Sequence, residues 1–428
     1  MPEQAACLSR LLQKNMQKER GGETVPDQSV KHIFICGAKS LGQYGGFETF
    51  VDKLAEQMQA HGNIKLHIAC KANGSGCMDE TKLQGVRHIS DAEFEYRGAR
   101  CFKITVPPIG PAVAIWYDLA AIASCLKYCR EQSIAAPVFY VLACRIGPWI
   151  GGIHRRVQKL GGRLLVNPDG HEWLRGKWPL PVKLYWKVSE KLTVKHADLL
   201  VCDSLQIEKY IHDEYAAYHP QTTYIAYGAD ERPSDLPDDA PQYVNWLRER
   251  GLTPGGYCLA VGRFVPENNY EIMIREWMRS RTKKPLVLIT NRTEQQLRKL
   301  EERVPFQKDP RIKLAGAVYD QQLLKKIREN AFASVHGHEV GGTNPSLLEG
   351  LQSTGLNLLL DVSFNREVAG DAALYWTKEE GSLAALAEKM DQMTAEEREQ
   401  YAAAARGRVR EAYTWPRIAG QYMELFTK

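Results

Sequence analysis

Apolar residues along this chain follow two alternating patterns. Short, nearly continuous apolar runs are typical of strands buried in a parallel sheet. Between them lie segments with apolar residues every three or four positions, as in the amphipathic helix predicted at residues 47–58. The predicted strands are residues 32–36, 65–70, 101–106, 138–143, 163–167, 199–202, 223–226, 257–261, 286–290, 312–314, 332–335 and 357–360.

Residues 231–256 interrupt this alternation, because four prolines stand there among aspartates and glycines. Such a composition is typical of a linker. The pattern therefore predicts an α/β protein of two doubly wound, Rossmann-like domains, residues 29–240 and residues 241–410. Ligands of such sheets bind beyond the carboxyl ends of the strands, so the cleft between the domains is the expected site.

Composition narrows the class of protein. The 428 residues carry a net charge of +5, a mild excess that does not by itself imply nucleic acid. The ten cysteines form no CxxC pair, which suits free thiols in a reducing compartment. Residues 1–28 form a polar extension without the apolar core of a signal peptide, and no apolar run approaches the roughly 20 residues of a membrane span. We expect a cytoplasmic protein whose membrane contact, if any, is peripheral.

The most informative stretch is residues 336–349, HGHEVGGTNPSLLE. A predicted strand leads into a turn with the adjacent glycines Gly341 and Gly342. Asn344 then fits the N-cap of a helix, and Pro345 fits its first turn. Free amides and the positive end of a helix dipole meet there, which is typical of an anion site, most often for phosphate. An ordinary strand-to-helix loop is the alternative interpretation.

Two charged residues flank this predicted anion site. Arg263 follows the strand at residues 257–261, and its guanidinium fork can hold a diphosphate with two hydrogen bonds. Glu349 lies one turn into the helix, where its carboxylate could accept a sugar hydroxyl. A surface ion pair between Arg263 and Glu267 is the alternative role for the arginine.

The first predicted strand is followed by a glycine-rich loop that contains Gly42, Gly45 and Gly46. Such a loop lets a ligand approach the backbone closely. Its spacing does not match G-x-G-x-x-G, and it lacks the Lys-Ser/Thr of a P-loop. A dinucleotide-dependent dehydrogenase is therefore disfavoured, and tight packing alone remains the alternative role for these glycines.

Polar groups also follow another first-domain strand, in the sequence NPDGHEW. Asp169, His171 and Glu172 could hold an acceptor hydroxyl or act as a base, although an Asp-Gly turn needs no function. In the second domain, His336 and His338 are only weak evidence for a metal site, since no further anchored ligand accompanies them. We therefore predict no metal.

A basic stripe is predicted on the helix after this loop. Lys183, Lys187, Lys191 and Lys195 recur every four residues, with Trp186 and other aromatic residues interleaved. This combination suits an anionic lipid surface or a lipid diphosphate. A solvated helix face is the alternative, and no nucleic-acid-binding motif accompanies the stripe.

Together these stretches resemble the retaining GT-B glycosyltransferases of family 4. More narrowly, they resemble the bacterial β-1,4-L-rhamnosyltransferases of capsule and cell-wall polysaccharide assembly. The resemblance covers about residues 32–425. The blocks that carry it are YGGFETFV (44–51), NPDGHEW (167–173), SEKLTVKHADLLVCDS (189–204), VGRFVPENNYE (261–271), HGHEVGGTNPSLLEG (336–350) and LNLLLDVSFNREVAGDAALYW (356–376).

The resemblance implies an acceptor-binding first domain and a nucleotide-sugar-binding second domain. It implies dTDP-β-L-rhamnose as donor, an undecaprenyl-diphosphate-linked sugar as acceptor and a place on the anionic inner membrane surface. A C-terminal helix at residues 411–428 would cross back to the first domain. No cofactor beyond the donor is implied.

Site roles carry over by position. Arg263 would clamp the donor diphosphate, and Glu349 would bind the ribose or deoxyribose. The resemblance assigns the cradle of diphosphate-binding amides to Gly342, Thr343, Asn344 and Ser346, with Gly45 and Gly46 facing the phosphates from the first domain.

Two departures from the family pattern affect these roles. Asn268 and Asn269 stand where a second basic residue commonly joins the arginine. Nine residues, rather than the usual seven, separate Glu339 from Glu349, which affects the role of Glu339 at the transferring sugar. A transferase using a UDP-hexose, a sugar-nucleotide epimerase of the same fold and a non-catalytic membrane-binding module are the competing interpretations.

Overall fold

The computed structural model describes residues 30–43 and 45–428. The predicted extension at residues 1–28 lies outside the described residues, as does Tyr44 of the first glycine loop. The remaining chain forms two sheets with helices packed on both faces, and most strands lie within one or two residues of their predicted positions.

The first sheet contains nine strands in the order β3-β4-β5-β2-β1-β6-β7-β8-β9. Its strands are β1 (Lys31–Cys36), β2 (Ile64–Lys71), β3 (Arg87–Ser90), β4 (Glu93–Tyr96), β5 (Ala99–Ile104), β6 (Val138–Leu142), β7 (Arg163–Asn167), β8 (Leu199–Cys202) and β9 (Thr222–Tyr224). The helices that follow these strands are α1 (Gly46–Met58), α2 (Val113–Glu131), α3 (Gly147–Gln158), α4 (Leu180–His196) and α5 (Leu205–Glu214). Strands β1, β2 and β5 to β9 pair in parallel, as predicted.

The antiparallel strands β3 and β4 were not predicted from the sequence. They form a hairpin at the edge of the sheet, and β4 pairs with β5. All four residues of β3 are exposed, so the strand lacks the apolar run that marks the buried strands.

The second sheet contains six parallel strands in the order β12-β11-β10-β13-β14-β15. Its strands are β10 (Cys258–Val261), β11 (Leu286–Ile289), β12 (Ile312–Leu314), β13 (Ala333–His336), β14 (Asn357–Leu360) and β15 (Leu374–Trp376). The helices of this half are α6 (Pro241–Arg248), α7 (Tyr270–Arg279), α8 (Glu294–Arg303), α9 (Gln321–Glu329), α10 (Pro345–Ser353), α11 (Ser363–Ala369), α12 (Ser382–Gln392), α13 (Ala395–Ala412) and α14 (Trp415–Thr427). The predicted fold class, two doubly wound α/β units, is confirmed.

The predicted linker at residues 231–256 is wrong in its middle part. Helix α6 begins there with Pro241 in its first turn, where a missing N–H costs no hydrogen bond. Tyr243, Trp246 and Leu247 of this helix are buried in one core cluster with β10 and β11. This segment is therefore part of the second domain's core.

The expectation that no segment could span a membrane also needs correction. By length and composition alone, residues 110–131, which include helix α2, are long and apolar enough to span a membrane. In the fold, α2 packs on the first sheet through Tyr117, Ala121 and Ile122. It also buries Asp118, which pairs with Arg145 at 2.8 Å. The apolar composition is thus explained by packing in the domain core.

The C-terminal helix α14 packs on the first domain. The hydroxyl groups of Tyr422 and Tyr140 of β6 are hydrogen bonded at 2.9 Å. The ring of Phe50 of α1 lies 5.2 Å from the ring of Tyr422. The last helix therefore joins the end of the chain to the first sheet.

Candidate functional site

Loops from the carboxyl ends of both sheets meet where the two domains contact each other. A Cβ added to Gly170, after β7, would lie 2.2 Å from the Gly341 Cα. A Cβ added to Gly342 would lie 1.9 Å from the Asp203 Oδ1, after β8. Only glycine permits such an approach, so the glycine turn is in direct contact with the first domain.

Helix α10 begins as the sequence predicts. The Asn344 side chain accepts hydrogen bonds from the amides of Ser346 at 2.9 Å and Leu347 at 3.4 Å, and Pro345 follows it. The Ser346 amide is therefore already engaged by the cap. The amides of Gly342 and Thr343 donate to no acceptor within the part of the chain that the structure describes. The Asn344 amide likewise donates to none, so the amides of Gly342, Thr343 and Asn344 are left without a protein partner among the described residues.

Glu349 is paired with an arginine that sequence reasoning did not single out. Arg328, almost fully buried at the end of α9, donates to the Glu349 carboxylate at 2.7 Å and to the Ser346 hydroxyl at 3.0 Å. The Ser346 hydroxyl in turn donates to the Val261 carbonyl at 3.0 Å. This network joins β10, α9 and α10 beside the glycine turn.

Arg263 lies past the end of β10 with an exposed side chain. Its carbonyl accepts a hydrogen bond from the Asn268 amide at 2.7 Å. The other end of the Asn268 amide contacts His338 Nδ1 at 2.7 Å. Asn268 therefore ties the arginine loop to the loop after β13.

His338 is neutral at physiological pH. Burial, followed by the positive charges of Arg175 and Arg263, lowers the pKa of His338 to about 4. Burial likewise lowers the pKa of His336 to about 3. Within residues 30–43 and 45–428, no group of three histidine, cysteine or carboxylate side chains could hold a metal ion.

Glu339 forms an ion pair with Lys378 of the segment after β15. The Glu339 amide donates to the Glu267 carbonyl at 3.1 Å. The Glu267 carboxylate is buried, and neither of its oxygens has a hydrogen-bond partner among the described residues. Lys378 and Glu267 are thus further polar groups of the site that sequence patterns did not assign to it.

The loop after β7 brings Asp169 and His171 to the domain contact. Both residues adopt the left-handed backbone conformation, with φ values of 58° and 43°. Asp169 lies 3.9 Å from Arg175, which also pairs with Glu172. The His171 ring lies 4.2 Å from the Tyr210 ring, and burial, followed by the charge of Lys187, lowers the pKa of this histidine.

Gly45 and Gly46 lie at the start of α1, beyond the carboxyl end of β1. Strand β1 is the topological switch point of the first sheet, since its neighbours are β2 on one side and β6 on the other. The residue that a Cβ on Gly45 would meet is Glu48 of the same helix. These two glycines thus sit at the expected edge of the sheet.

Helix α4 differs from the predicted basic stripe. Lys187 turns inward: its ammonium group lies 2.7 Å from the Tyr210 hydroxyl, 2.8 Å from the Glu214 carboxylate and 4.5 Å from the centre of the Trp173 ring. Trp186 and Lys183 are partly buried, and Lys191 is exposed. The lysines therefore do not form one continuous solvent-facing row.

Helix α4 instead presents a row of exposed apolar side chains. Leu180, Leu184 and Val188 of α4 are 69%, 60% and 53% exposed. Their four-residue spacing matches that of the lysines, so the apolar row runs beside Lys183 and Lys191. A groove of about 390 Å³ lies next to this row, lined by Lys187, Val188, Lys191, Glu214, Tyr215, Ala217 and Tyr218.

Asp203 is the most notable residue of the site that sequence reasoning did not assign. It directly follows β8, so the same rule that identified Asp169 and Arg263, a polar residue just past a strand end, could have found it. The Thr343 hydroxyl donates to the Asp203 carbonyl. The site thus combines loops after β7, β8, β10 and β13.

The chain was compared with protein families and with curated proteins. Residues 30–230, less than half of the chain, match the model of a family described as a domain of unknown function, DUF1972. Among curated proteins, no relative matches the chain.

Several solved structures match over almost the whole length. Sucrose-phosphate synthase from Thermosynechococcus elongatus has a TM-score of 0.70 and 16% identity, covering 93% of this chain and 98% of its own. HepE from Anabaena, in complex with UDP and glucose, has a TM-score of 0.63 and 14% identity, covering 93% and 99%. Trehalose 6-phosphate synthase from Burkholderia multivorans has a TM-score of 0.67 and 12% identity, covering 94% and 97%. The chain therefore adopts the GT-B fold, with two Rossmann-like domains that face each other.

Proposed function

We propose that this protein is a glycosyltransferase that moves a sugar from a nucleoside-diphosphate donor to an acceptor held by the first domain. The observation that carries the proposal is the pair of amides of Gly342 and Thr343, unpartnered in the described chain, at a helix N-terminus, where the Ser346 hydroxyl donates to the carbonyl of Val261, two residues before Arg263. Amides and a helix dipole favour a diphosphate there. The GT-B fold supports the assignment, since HepE has this fold and its structure contains UDP and glucose.

The donor we propose is dTDP-β-L-rhamnose, and the acceptor is an undecaprenyl-diphosphate-linked sugar. The support is the set of sequence blocks that resemble the bacterial β-1,4-L-rhamnosyltransferases, four of which contain loops of this site. The product would carry a β-1,4 linkage with the anomeric configuration retained, as a step in surface polysaccharide assembly.

In the proposed reaction the bond between the anomeric carbon and the diphosphate oxygen breaks, and a bond to the acceptor hydroxyl oxygen forms on the same face. The acceptor's proton passes to the departing diphosphate oxygen. Arg263 and the turn amides stabilise the negative charge that builds on this oxygen. Each hydrogen-bond donor contributes on the order of 3 kcal/mol to this stabilisation. Asp169 holds the acceptor hydroxyl, and Glu339, positioned by Lys378, faces the transferred sugar.

Metal independence follows from this arrangement, because Arg263 and the amides meet the diphosphate charge. Full activity in excess EDTA is the expected result. Loss of activity that Mg²⁺ restores would contradict it.

We further propose that the protein works in the cytoplasm, peripherally bound to the inner membrane surface. The exposed apolar row of α4, with Lys183 and Lys191 beside it, supports contact with anionic lipid. A lipid-linked acceptor would be reached at that surface.

A UDP-hexose donor is the second candidate, and the UDP and glucose in the HepE structure favour it. Product analysis with dTDP-L-rhamnose, UDP-glucose and UDP-N-acetylglucosamine, each with lipid-diphosphate-linked glucose or N-acetylglucosamine, tests the proposal. Rhamnosylated lipid only with the first donor supports the rhamnosyltransferase. Transfer from a UDP-sugar favours the second candidate, and a new nucleotide sugar without acceptor would identify an epimerase.

A further inference from the structure

Asp203, just after β8, is a first-domain residue that lies against the turn at Gly341 and Gly342. Its side chain is buried, and its Oδ1 has no hydrogen-bond partner among the described residues. The 1.9 Å from this oxygen to a Cβ built on Gly342 means that the carboxyl group touches the turn backbone. An unpartnered buried oxygen is costly unless something binds it, so this geometry indicates a ligand.

The backbone around Asp203 is fixed to the second domain from two directions. The Thr343 hydroxyl donates to the Asp203 carbonyl. The Glu367 carboxylate of α11 accepts hydrogen bonds from the Ser204 hydroxyl and the Leu205 amide, both at 2.8 Å. The carboxyl group is therefore held at the turn when the domains are in contact.

Several charged and titratable groups interact with the Asp203 carboxyl group. Burial, followed by the negative charge of Asp169, raises the pKa of Asp203 to about 8, with Glu367 adding to the rise and Arg175 opposing it. The groups that interact electrostatically with it are Asp169 and Arg175 of the loop after β7, Glu367 of α11, Tyr140 of β6, Cys202 of β8, Tyr224 of β9, Tyr227 after β9 and Tyr422 of α14. Burial and the neighbouring negative charges therefore favour the protonated form of the carboxyl group, whose O–H can donate a hydrogen bond.

A diphosphate bound to the Gly342 and Thr343 amides would lie against this carboxyl group. An ionised carboxylate would repel the diphosphate, whereas a protonated carboxyl can donate its O–H to a phosphate oxygen. The second cation expected beside Arg263 is replaced by Asn268, whose amide is engaged by Arg263 and His338. An uncharged hydrogen-bond donor from the first domain would take the position of this missing cation at the diphosphate.

We propose that Asp203 is a ligand of the donor: its protonated carboxyl group donates a hydrogen bond to the diphosphate held at the Gly342–Thr343 turn. This rests on the proposed function only in taking a nucleoside diphosphate as the ligand. Asp203 belongs to the first domain, and the diphosphate is held by the turn of the second domain. Protonation of this one carboxyl group is therefore linked both to binding of the nucleotide and to closure of the two domains.

Calorimetric titration of the full chain with dTDP and with UDP, from about pH 7 to about pH 9.5, tests this assignment. Wild-type affinity should fall above about pH 8, approaching tenfold for each pH unit, as the carboxyl group ionises. Asp203→Asn should bind at neutral pH and lose this decline, because its amide donates at every pH. Asp203→Ala should bind about tenfold more weakly or worse at neutral pH.

Asp213→Asn is the matched control, since Asp213 forms an exposed ion pair with Lys209 on α5. It should keep the wild-type profile. If Asp203→Ala fails to fold, the comparison between wild type and Asp203→Asn still shows whether the decline in affinity above about pH 8 depends on the Asp203 carboxyl group. Nucleotide binding with the same pH profile in wild type and Asp203→Asn would overturn the role of Asp203 alone. Absence of binding by both nucleotides at every pH would overturn the proposed function together with it.

Discussion

At the scale of single residues, the site depends on which groups remain available to a ligand. Asn344 engages the amides of Ser346 and Leu347, and Arg328 engages Glu349. Arg263 keeps an exposed guanidinium, because the contact with Asn268 involves only its backbone carbonyl. The arginine is therefore available to a diphosphate.

Replacing Arg263 with alanine should lower kcat by about 10²-fold or more, because the charge that meets the departing diphosphate is lost. Steady-state kinetics with the donor identified by product analysis measures this. Arg275→Ala is the matched control, since Arg275 pairs with Glu271 on the surface of α7. Equal turnover in the two variants would contradict the assigned role.

Gly342→Ala should reduce nucleoside-diphosphate affinity and turnover at least tenfold. The added methyl group would lie 1.9 Å from the Asp203 oxygen, so either the turn or the buried carboxyl group must move. Gly407→Ala on α13 adds a methyl group with no atom within 4 Å and should behave as wild type. Wild-type binding by Gly342→Ala would show that the close approach is not needed.

At the scale of elements, the sequence predicts what local pattern encodes. Buried parallel strands and the capped start of α10 were predicted because apolar runs, glycine and the Asn-Pro pair carry the information locally. The exposed strand β3 and the helix α6 were missed, since the first lacks an apolar run and the second is hidden among prolines.

Pairings across elements were not predictable in the same way. The partnerships of Glu349 with Arg328 and of Glu339 with Lys378 join segments that only the folded chain brings together. The same holds for Lys187, whose inward turn depends on Tyr210 and Glu214 of another helix. Strand-end positions therefore identify candidate residues, and tertiary contacts decide their roles.

Helix α4 should bind anionic liposomes through its apolar row. Leu184→Glu combined with Val188→Glu should reduce co-flotation with phosphatidylglycerol vesicles more strongly than Lys183→Glu combined with Lys191→Glu, because both apolar residues lose their insertion into lipid. Lys209→Glu on α5 serves as the control, as Lys209 is exposed and pairs with Asp213. Unchanged flotation of the Leu184 and Val188 variant would assign this face to solvent or to another partner.

At the scale of the whole molecule, the two domains share an apolar cluster that includes Tyr227 and Leu347, and glycine and polar contacts add to it. The turn at Gly341 and Gly342 touches the loops after β7 and β8. Glu367 of α11 accepts hydrogen bonds from the first turn of α5, at Ser204, Leu205 and Gln206. A carboxylate at a helix N-terminus is stabilised by the helix dipole, so this contact favours the closed arrangement.

Glu367→Ala should open the unliganded protein. Each lost hydrogen bond to a charged group contributes about 1.5 kcal/mol or more, enough to shift the closed-to-open ratio about tenfold. Small-angle X-ray scattering should report a larger radius of gyration, which nucleoside diphosphate should reduce again. Glu411→Ala, an exposed position on α13, is the control, and equal radii for the two variants would contradict a latch at Glu367.

The crystal structure of the full chain with dTDP or UDP bound tests the central claim most directly. We predict that the diphosphate lies within hydrogen-bond distance of the Gly342 and Thr343 amides and of the Arg263 guanidinium. A nucleotide bound elsewhere, with these amides and Arg263 far from its phosphates, would contradict the account.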